Sequence, residues 1–366
     1  MRGLQRLGHE VELCGPDFRG SRSHTGHSPG WVGLLKKHLP KPLYTLAELG
    51  YSIVAYRQLA RTIRAFQPDV IYERYNLFEL SGIWAKNRFS LPLILEVNAP
   101  MARERQQYNG LSMPWLARWT ENWVWRKADQ VLPITRVLAD ELEQCGVQPQ
   151  QITIVPNGIN PDQYEGLPSI EAAKRLLGLE NRLVIGFTGF VREWDRLDRV
   201  VKWMASYQGK ETLHLLVVGD GPARAEIEAC AHQYGISDQV SFTGVVKRQE
   251  VPAAAMAFDI ALQTALVPYA SPLCLFEYLA LGKAILAPDQ PNHHEILRDR
   301  IDALLYDPEA AHGLEQGLDA LVNNIELRND VAKHAVHVIA DKKLTWTDHA
   351  RTIEGLFHKL LAQRRK

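Results

Sequence analysis

The residues best suited to chemistry form one run in the C-terminal half, Ser271-Pro272-Leu273-Cys274-Leu275-Phe276-Glu277-Tyr278-Leu279-Ala280-Leu281-Gly282-Lys283-Ala284. A serine followed by a proline reads as a helix start, with Ser271 the expected N-cap and Pro272 the first helical residue. The unpaired backbone N–H groups of such a first turn, around Leu273, Cys274 and Leu275, can cradle a diphosphate. Glu277 lies about one and a half turns further on. Its carboxylate can accept hydrogen bonds from ribose or sugar hydroxyls, or can be a solvated helix carboxylate with no such role.

A second candidate, Gly219-Asp220-Gly221-Pro222-Ala223-Arg224, follows the apolar run Leu213 to Val218. Gly219 and Gly221 would allow a tight turn and close approach of a phosphate or base at a helix N-terminus, or serve a plain strand-to-helix turn. Arg224 stands where the dinucleotide fingerprint needs its third glycine, which argues against a nicotinamide dehydrogenase. In the first half of the chain, Glu73 and Arg74 follow the run Val70 to Tyr72, and Asn98 follows Leu93 to Val97. Ligands of open α/β sheets bind beyond the carboxyl ends of strands, so these three are expected to face one cleft. A structural ion pair is the other reading of Glu73 and Arg74.

These residues need a scaffold, and the chain supplies two. Short Val/Ile/Leu-rich runs recur at Asp69 to Tyr72, Leu93 to Val97, Gln130 to Ile134 and Ile152 to Pro156. A second set follows at Leu183 to Phe187, Leu213 to Val218, Val240 to Phe242, Ile260 to Leu262, Ala284 to Ala287 and Ala303 to Tyr306. Such runs suit strands of a parallel sheet buried on both faces, and helical stretches such as Ser52 to Ala65 and Ala223 to His232 alternate with them. The opening residues read as a helix end stopped at Gly8 and running into a strand from Val11 to Cys14. Proline and glycine punctuate Asn157 to Ser169, the best domain boundary.

With 366 residues, 46% hydrophobic and 23% charged, the chain has the size and balance of a two-domain globular protein. Its 42 basic and 42 acidic side chains cancel, so no global field recruits nucleic acid, and no nucleic-acid module is visible. Four dispersed cysteines fit a reduced, cytoplasmic setting, and no apolar run reaches the ~20 residues needed to span a bilayer. Trp115, Trp119 and Trp123 form one helical stripe with Arg118, Arg126 and Lys127 nearby, expected to pack helix against sheet, the other reading being a helix that lies on a lipid surface. Trp31 to Tyr51, with Lys36, Lys37 and Lys41 among leucines, is the better candidate for peripheral contact with the inner membrane surface or for an acceptor groove. The polar tract Phe18 to Gly30 reads as a loop.

Taken together, S-P-L-x-L-F-E-Y-x-A-x-G-K, V-P-N-G-I-N, V-G-D-G-P and S-F-T-G-x-V resemble the retaining glycosyltransferases of family 4. The segments D-V-I-Y-E-R-Y-N-L-F and L-E-V-N-A-P-M-A-R-E-R resemble one subgroup. The resemblance runs from about residue 3 to Trp346. It implies an α/β fold called GT-B, two Rossmann-like doubly wound parallel-sheet domains facing across a cleft. Residues 1–160 would form the acceptor-side domain, 161–345 the donor domain, and 346–366 a helix crossing back to the first. It further implies transfer of a sugar from a nucleoside-diphosphate-sugar to a hydroxyl acceptor (glycan, lipid-linked or small molecule) with retention of configuration. No cofactor and no metal are expected, in keeping with the lack of a D-x-D sequence.

By the same resemblance, Glu277 holds the donor ribose, Ser271 to Leu275 bind the diphosphate, the backbone of Val246 reads the base, and Gly189 follows the first strand of the donor domain. The family's diphosphate-clamping arginine and lysine would fall at Phe190 and Asp195, so Arg192 and Arg196 are the expected substitutes. Tyr269 replaces the first of two glutamates, and Cys274 replaces a lysine, as a packed thiol. Asn98 stands where many members have a histidine, and would orient the reacting sugar through hydrogen bonds. The family's opening strand and Gly-rich loop are missing before Gly8-His9-Glu10-Val11. These departures leave a second reading, a non-catalytic relative acting as a sugar-binding or scaffolding subunit.

Overall fold

The computed structural model describes residues 2–15, 40–108 and 110–364. The chain divides into two compact units, residues 1–156 with 350–366, and residues 157–349. The tract Phe18 to Gly30 and the segment 31–39 lie outside the described residues.

The first unit is built on a parallel sheet of β1 (Ile71–Arg74), β2 (Leu93–Val97) and β3 (Gln130–Pro133), in that order. Leu93, Ile94, Leu95 and Val97 have almost no exposed surface, as expected of a central strand covered on both faces. Ile94 and Leu132 pack with Leu4 and with Ala350, Ile353 and Leu360 of the last helix, Trp346–Arg364. His9 adds a 3.0 Å contact to Glu354 of that helix.

Two expected strands do not form. Ile152 makes a single parallel bridge to Val131, and Thr153 and Val155 donate to Val131 and Pro133, but no named strand results. Residues 11–14 form no ladder with any described strand, and Leu13 is exposed. Apolar composition alone does not make a strand, which exists only through a paired neighbour.

The tryptophan stripe also departs from expectation. In the helix Pro114–Lys127 the buried side is Leu116, Ala117, Thr120, Glu121, Val124 and Trp125. Trp115 and Trp119 point outward, 63% and 56% exposed. The inner face is taken instead by Trp125 and by smaller residues, of which Ala117 and Leu116 meet Phe78 and Ala102 in one cluster.

The second unit holds a six-stranded parallel sheet, β4 (Leu183–Phe190), β5 (Leu213–Asp220), β6 (Val240–Phe242), β7 (Ile260–Leu262), β8 (Ala284–Pro288) and β9 (Leu304–Tyr306), in spatial order β6-β5-β4-β7-β8-β9. Alternate residues of one strand feed two different cores. Leu215 and Val217 pack with Ile185, Leu262 and Leu318 on one face, while Leu216 and Val218 pack with Val184, Phe276 and Val338 on the other. The order runs outward from β4 in both directions, so the switch point of this sheet lies between β4 and β7, where such folds open a crevice for ligand.

Candidate functional site

Two of the expected segments flank that switch point. The helix Leu273–Ala280 starts after β7, and the loop Phe190–Arg196 leaves β4. Phe276, Tyr278 and Leu279 are wholly buried, which leaves Glu277 on the remaining side of the helix. Tyr278 also locks the two elements together, its hydroxyl accepting a 2.7 Å hydrogen bond from the Thr188 N–H near the end of β4. The F-E-Y triplet is thus two core anchors around one carboxylate that is left off the core face.

The helix begins one residue later than expected. Pro272, with φ −69° and ψ 124°, occupies the N-cap position, and no side chain caps the first turn. Ser271 is used differently. Its Oγ accepts from the Asn157 N–H at 3.2 Å, and its carbonyl accepts from Asn157 Nδ2 at 2.5 Å. Asn157, in the V-P-N-G-I-N run but given no role by sequence reasoning, therefore holds the turn in place.

Glu277 has one charged neighbour among the described contacts, Arg248, whose guanidinium lies 3.5 Å from Oε1. Burial pushes the Glu277 carboxyl above its ordinary range, and the Arg248 charge opposes the rise. Tyr164 lies within the field of both groups; burial first, and the Glu277 charge second, raise its hydroxyl. Arg248 follows the S-F-T-G-x-V run on the same loop as Val246, which rests against the core. No motif signalled it.

The loop after β4 carries both expected arginines. Arg192 lies over two rings, 4.7 Å from the centre of Trp194 and 5.3 Å from that of Phe190, at distances suited to cation–π attraction. Phe190 itself is exposed. Asp195 is buried, its carboxyl pushed up to about 6 by desolvation against the pull of the Arg192 N–H and charge. Thr264, at the end of β7, donates to the Asp195 carbonyl, and so pins this loop across the switch point. Arg196 adopts a left-handed backbone, φ 54°, at the helix start, with its side chain exposed. No described hydrogen bond or ion pair brings Arg196 to Glu277.

Cys274 is a packed thiol. Sγ donates to Gln263 Oε1 at 3.1 Å, and burial pushes its pKa up to about 12. Lys283, at the end of the motif, is also internal: Nζ donates to the Met256 carbonyl at 2.7 Å, and burial lowers its pKa to about 8.

The glycines of the G-D-G-P turn have a packing requirement that sequence reasoning did not give them. Gly189 and Gly219 are register partners on β4 and β5, both with φ 147°. A side chain on Gly219 would strike the Gly189 carbonyl, and one on Gly221 would strike the Val191 backbone. Both glycines are required by the packing of one loop on another, and together they shape the floor beneath Phe190 to Arg192.

In the first unit the expected trio is divided. Glu73 and Arg74 are consecutive in β1, so their side chains leave opposite faces of the sheet. Arg74 lies 3.8 Å from Glu96 Oε1, the same oxygen that accepts from Asn98 Nδ2 at 2.8 Å. Tyr72 donates to the other oxygen of Glu96 at 2.7 Å. Glu96 is the centre of this cluster, though only the chain position of Asn98 drew attention in the sequence.

Glu73 turns the other way, its carboxyl filling the space beside Gly82. Desolvation, with the Glu79 charge second, raises its pKa to about 8. It is a half-buried acid on the opposite face from Arg74, so it does not join Arg74 and Asn98 in one cluster. Among the described residues, no group of three or more His, Cys, Asp or Glu side chains could hold a metal ion.

Comparison with known proteins follows the same division. Residues 1–163 match the model of Glycosyltransferase Family 4, and residues 169–338 match Glycosyl transferases group 1. A 2-deoxystreptamine glucosyltransferase of Streptomyces kanamyceticus is 36% identical over 152 residues, covering 39% of this chain and 38% of that relative. An uncharacterized glycosyltransferase of Methanocaldococcus jannaschii is 22% identical over 80% of this chain and 76% of its own. Among solved structures, Anabaena HepE in complex with UDP and glucose superposes with a TM-score of 0.70 at 17% identity, over 83% of this chain and 81% of that one. Two parallel-sheet units and these matches define the class, the GT-B glycosyltransferases. Within it, the chain belongs to glycosyltransferase family 4.

Proposed function

We propose that this protein transfers a hexose or related sugar from a nucleoside-diphosphate-sugar to a hydroxyl acceptor, with retention of configuration and without a metal. The acceptor belongs to glycan, glycolipid or natural-product assembly. One observation carries the reading: a desolvated carboxylate, Glu277, sits on the helix that starts at the β4–β7 switch point, beside the loop carrying Arg192. Glu277 would hold the donor ribose and the Val246 backbone the base. The uncapped helix start would neutralise the diphosphate. Arg192, stacked and pre-oriented, would add a fork of N–H donors.

In the transfer, the bond from the anomeric carbon to the diphosphate oxygen breaks as the acceptor oxygen bonds on the same face. The acceptor proton passes to the departing phosphate. Such a reaction needs placement and charge stabilisation more than a protein base, and Asn98, held by Glu96, would supply orientation. Isothermal titration against a panel of nucleotide-sugars, followed by measurement of nucleoside diphosphate release, tests the reading. Absence of binding to every nucleotide and nucleotide-sugar would end it.

A second reading rests on Phe190 and Asp195, an exposed ring and a buried acid where the family pattern has cations. It is a sugar-nucleotide-binding subunit without turnover. The same assay separates them, since that protein would bind donor and release no diphosphate with any acceptor.

A further inference from the structure

Two helices of the first unit share an unusual surface. In Lys41–Phe66 the buried positions are Thr45, Ser52, Ala60 and Ile63. The opposite side exposes Leu43, Leu46, Ile53 and Val54, and then Arg57 and Arg61. In Pro114–Lys127 the outward side begins with Trp115, Arg118 and Trp119 and ends with Arg126 and Lys127. Each helix is thus apolar on the outer face of its first half and basic toward its end.

The two first halves are neighbours. Thr45 Oγ1 and Ser112 Oγ lie 3.0 Å apart, and Leu49 joins Met113, Leu116 and Ala117 in one cluster. Acid is withheld from this surface. Glu48, the one acidic residue of the first helix, is clamped by Arg105 at 2.6 Å, and Glu121, the one acidic residue of the second, is buried. Both tryptophans, large and amphipathic, are left in solvent although Leu116 and Ala117 beside them are covered.

We propose that this two-helix face docks the protein on an anionic lipid bilayer, with Leu43, Leu46, Ile53, Trp115 and Trp119 entering the headgroup boundary and Arg57, Arg61 and Arg118 meeting lipid phosphates. Exposed apolar side chains rimmed by arginine, with neither helix's own glutamate free, match the charge and polarity profile of such an interface. A protein partner would be expected to meet a mixed-charge rim instead. The inference is independent of the proposed reaction, since it concerns only this surface.

The test is co-sedimentation of the full chain with phosphatidylglycerol–phosphatidylcholine vesicles and with pure phosphatidylcholine vesicles, over a range of salt. Binding to the anionic vesicles is expected, falling with ionic strength. W115S/W119S should lower the partition coefficient at least tenfold, and each of R57Q and R61Q about fivefold. Because all four positions are exposed, unchanged melting curves would show that the variants are folded. Three results would overturn the proposal: no preference for anionic vesicles, parental binding by W115S/W119S, or a dimer that W115S/W119S disperses, which would assign the face to a second copy of the chain.

Discussion

The second and first units use carboxylates in different ways. In the second unit, Glu277 is partly desolvated and has one loosely placed cation, Arg248, at 3.5 Å. In the first, Glu96 accepts from Tyr72 and Asn98 and lies 3.8 Å from Arg74, and a separate acid, Glu73, is half-buried with no cation among its described contacts. A carboxylate meant to accept ligand hydroxyls must keep acceptor capacity, as Glu277 does. One that already accepts from two neighbours, with a third charge near, is engaged in arranging them. The contrast teaches that a chemically capable residue type is no guide to role until its lone pairs are accounted for.

The comparison predicts its own largest test. Glu277→Ala should reduce kcat/KM for the sugar donor by about a hundredfold or more, as expected for losing two charge-assisted hydrogen bonds, with no change in melting temperature. A variant with parental kcat/KM would remove Glu277 from the site. Glu96→Gln should act more weakly, about tenfold on kcat, because it loosens Asn98 and Arg74 without removing a ligand contact. An effect on donor affinity in place of turnover would break the assignment of this cluster to the acceptor side.

Glu73 gives a pH test. Its folded pKa, about 8, lies above the ordinary carboxylate value, so the folded state holds a proton that the unfolded state has lost. Stability from this group is therefore complete below the ordinary carboxylate pKa and is lost as pH rises to about 8. Urea unfolding at pH 5.5 and pH 8 should show Glu73→Gln flattening that slope, on the order of 1–3 kcal/mol. An unaltered slope would contradict the buried, uncharged state.

The smallest expected effect sharpens the donor side. Arg248→Ala removes the charge that opposes the rise in the Glu277 pKa, so less of the carboxylate is ionised at low pH. Donor KM should increase a few-fold at pH 8 and more at pH 6, a modest effect because the arginine is largely exposed. A pH-independent increase would place Arg248 on the ligand in place of Glu277.

Much of the second unit was legible. Its strands are short apolar runs between glycines, and each run from β4 to β9 forms a strand, because burial on both faces leaves little choice of residue. In the F-E-Y pattern, Phe276 and Tyr278 face the core on either side of Glu277. The first unit was less legible. Register and the alternation of a four-residue strand set Glu73 against Arg74, and proximity in sequence suggested the reverse. Glu96 was hidden in the L-E-V-N run because only folding brings Tyr72, from β1, to its side.

Residue order by itself determined the alternating strands and helices and the helix start near Ser271. These follow from local geometry and hydrophobic period, which act over a few neighbours. Tertiary structure alone decided that Asn157 holds Ser271, that Arg248 faces Glu277, and that Gly219 and Gly221 serve loop packing. It also decided which side of the Trp115–Trp119 helix meets solvent. Each of those outcomes depends on groups far apart in the chain competing for the same space, and no local pattern records who wins.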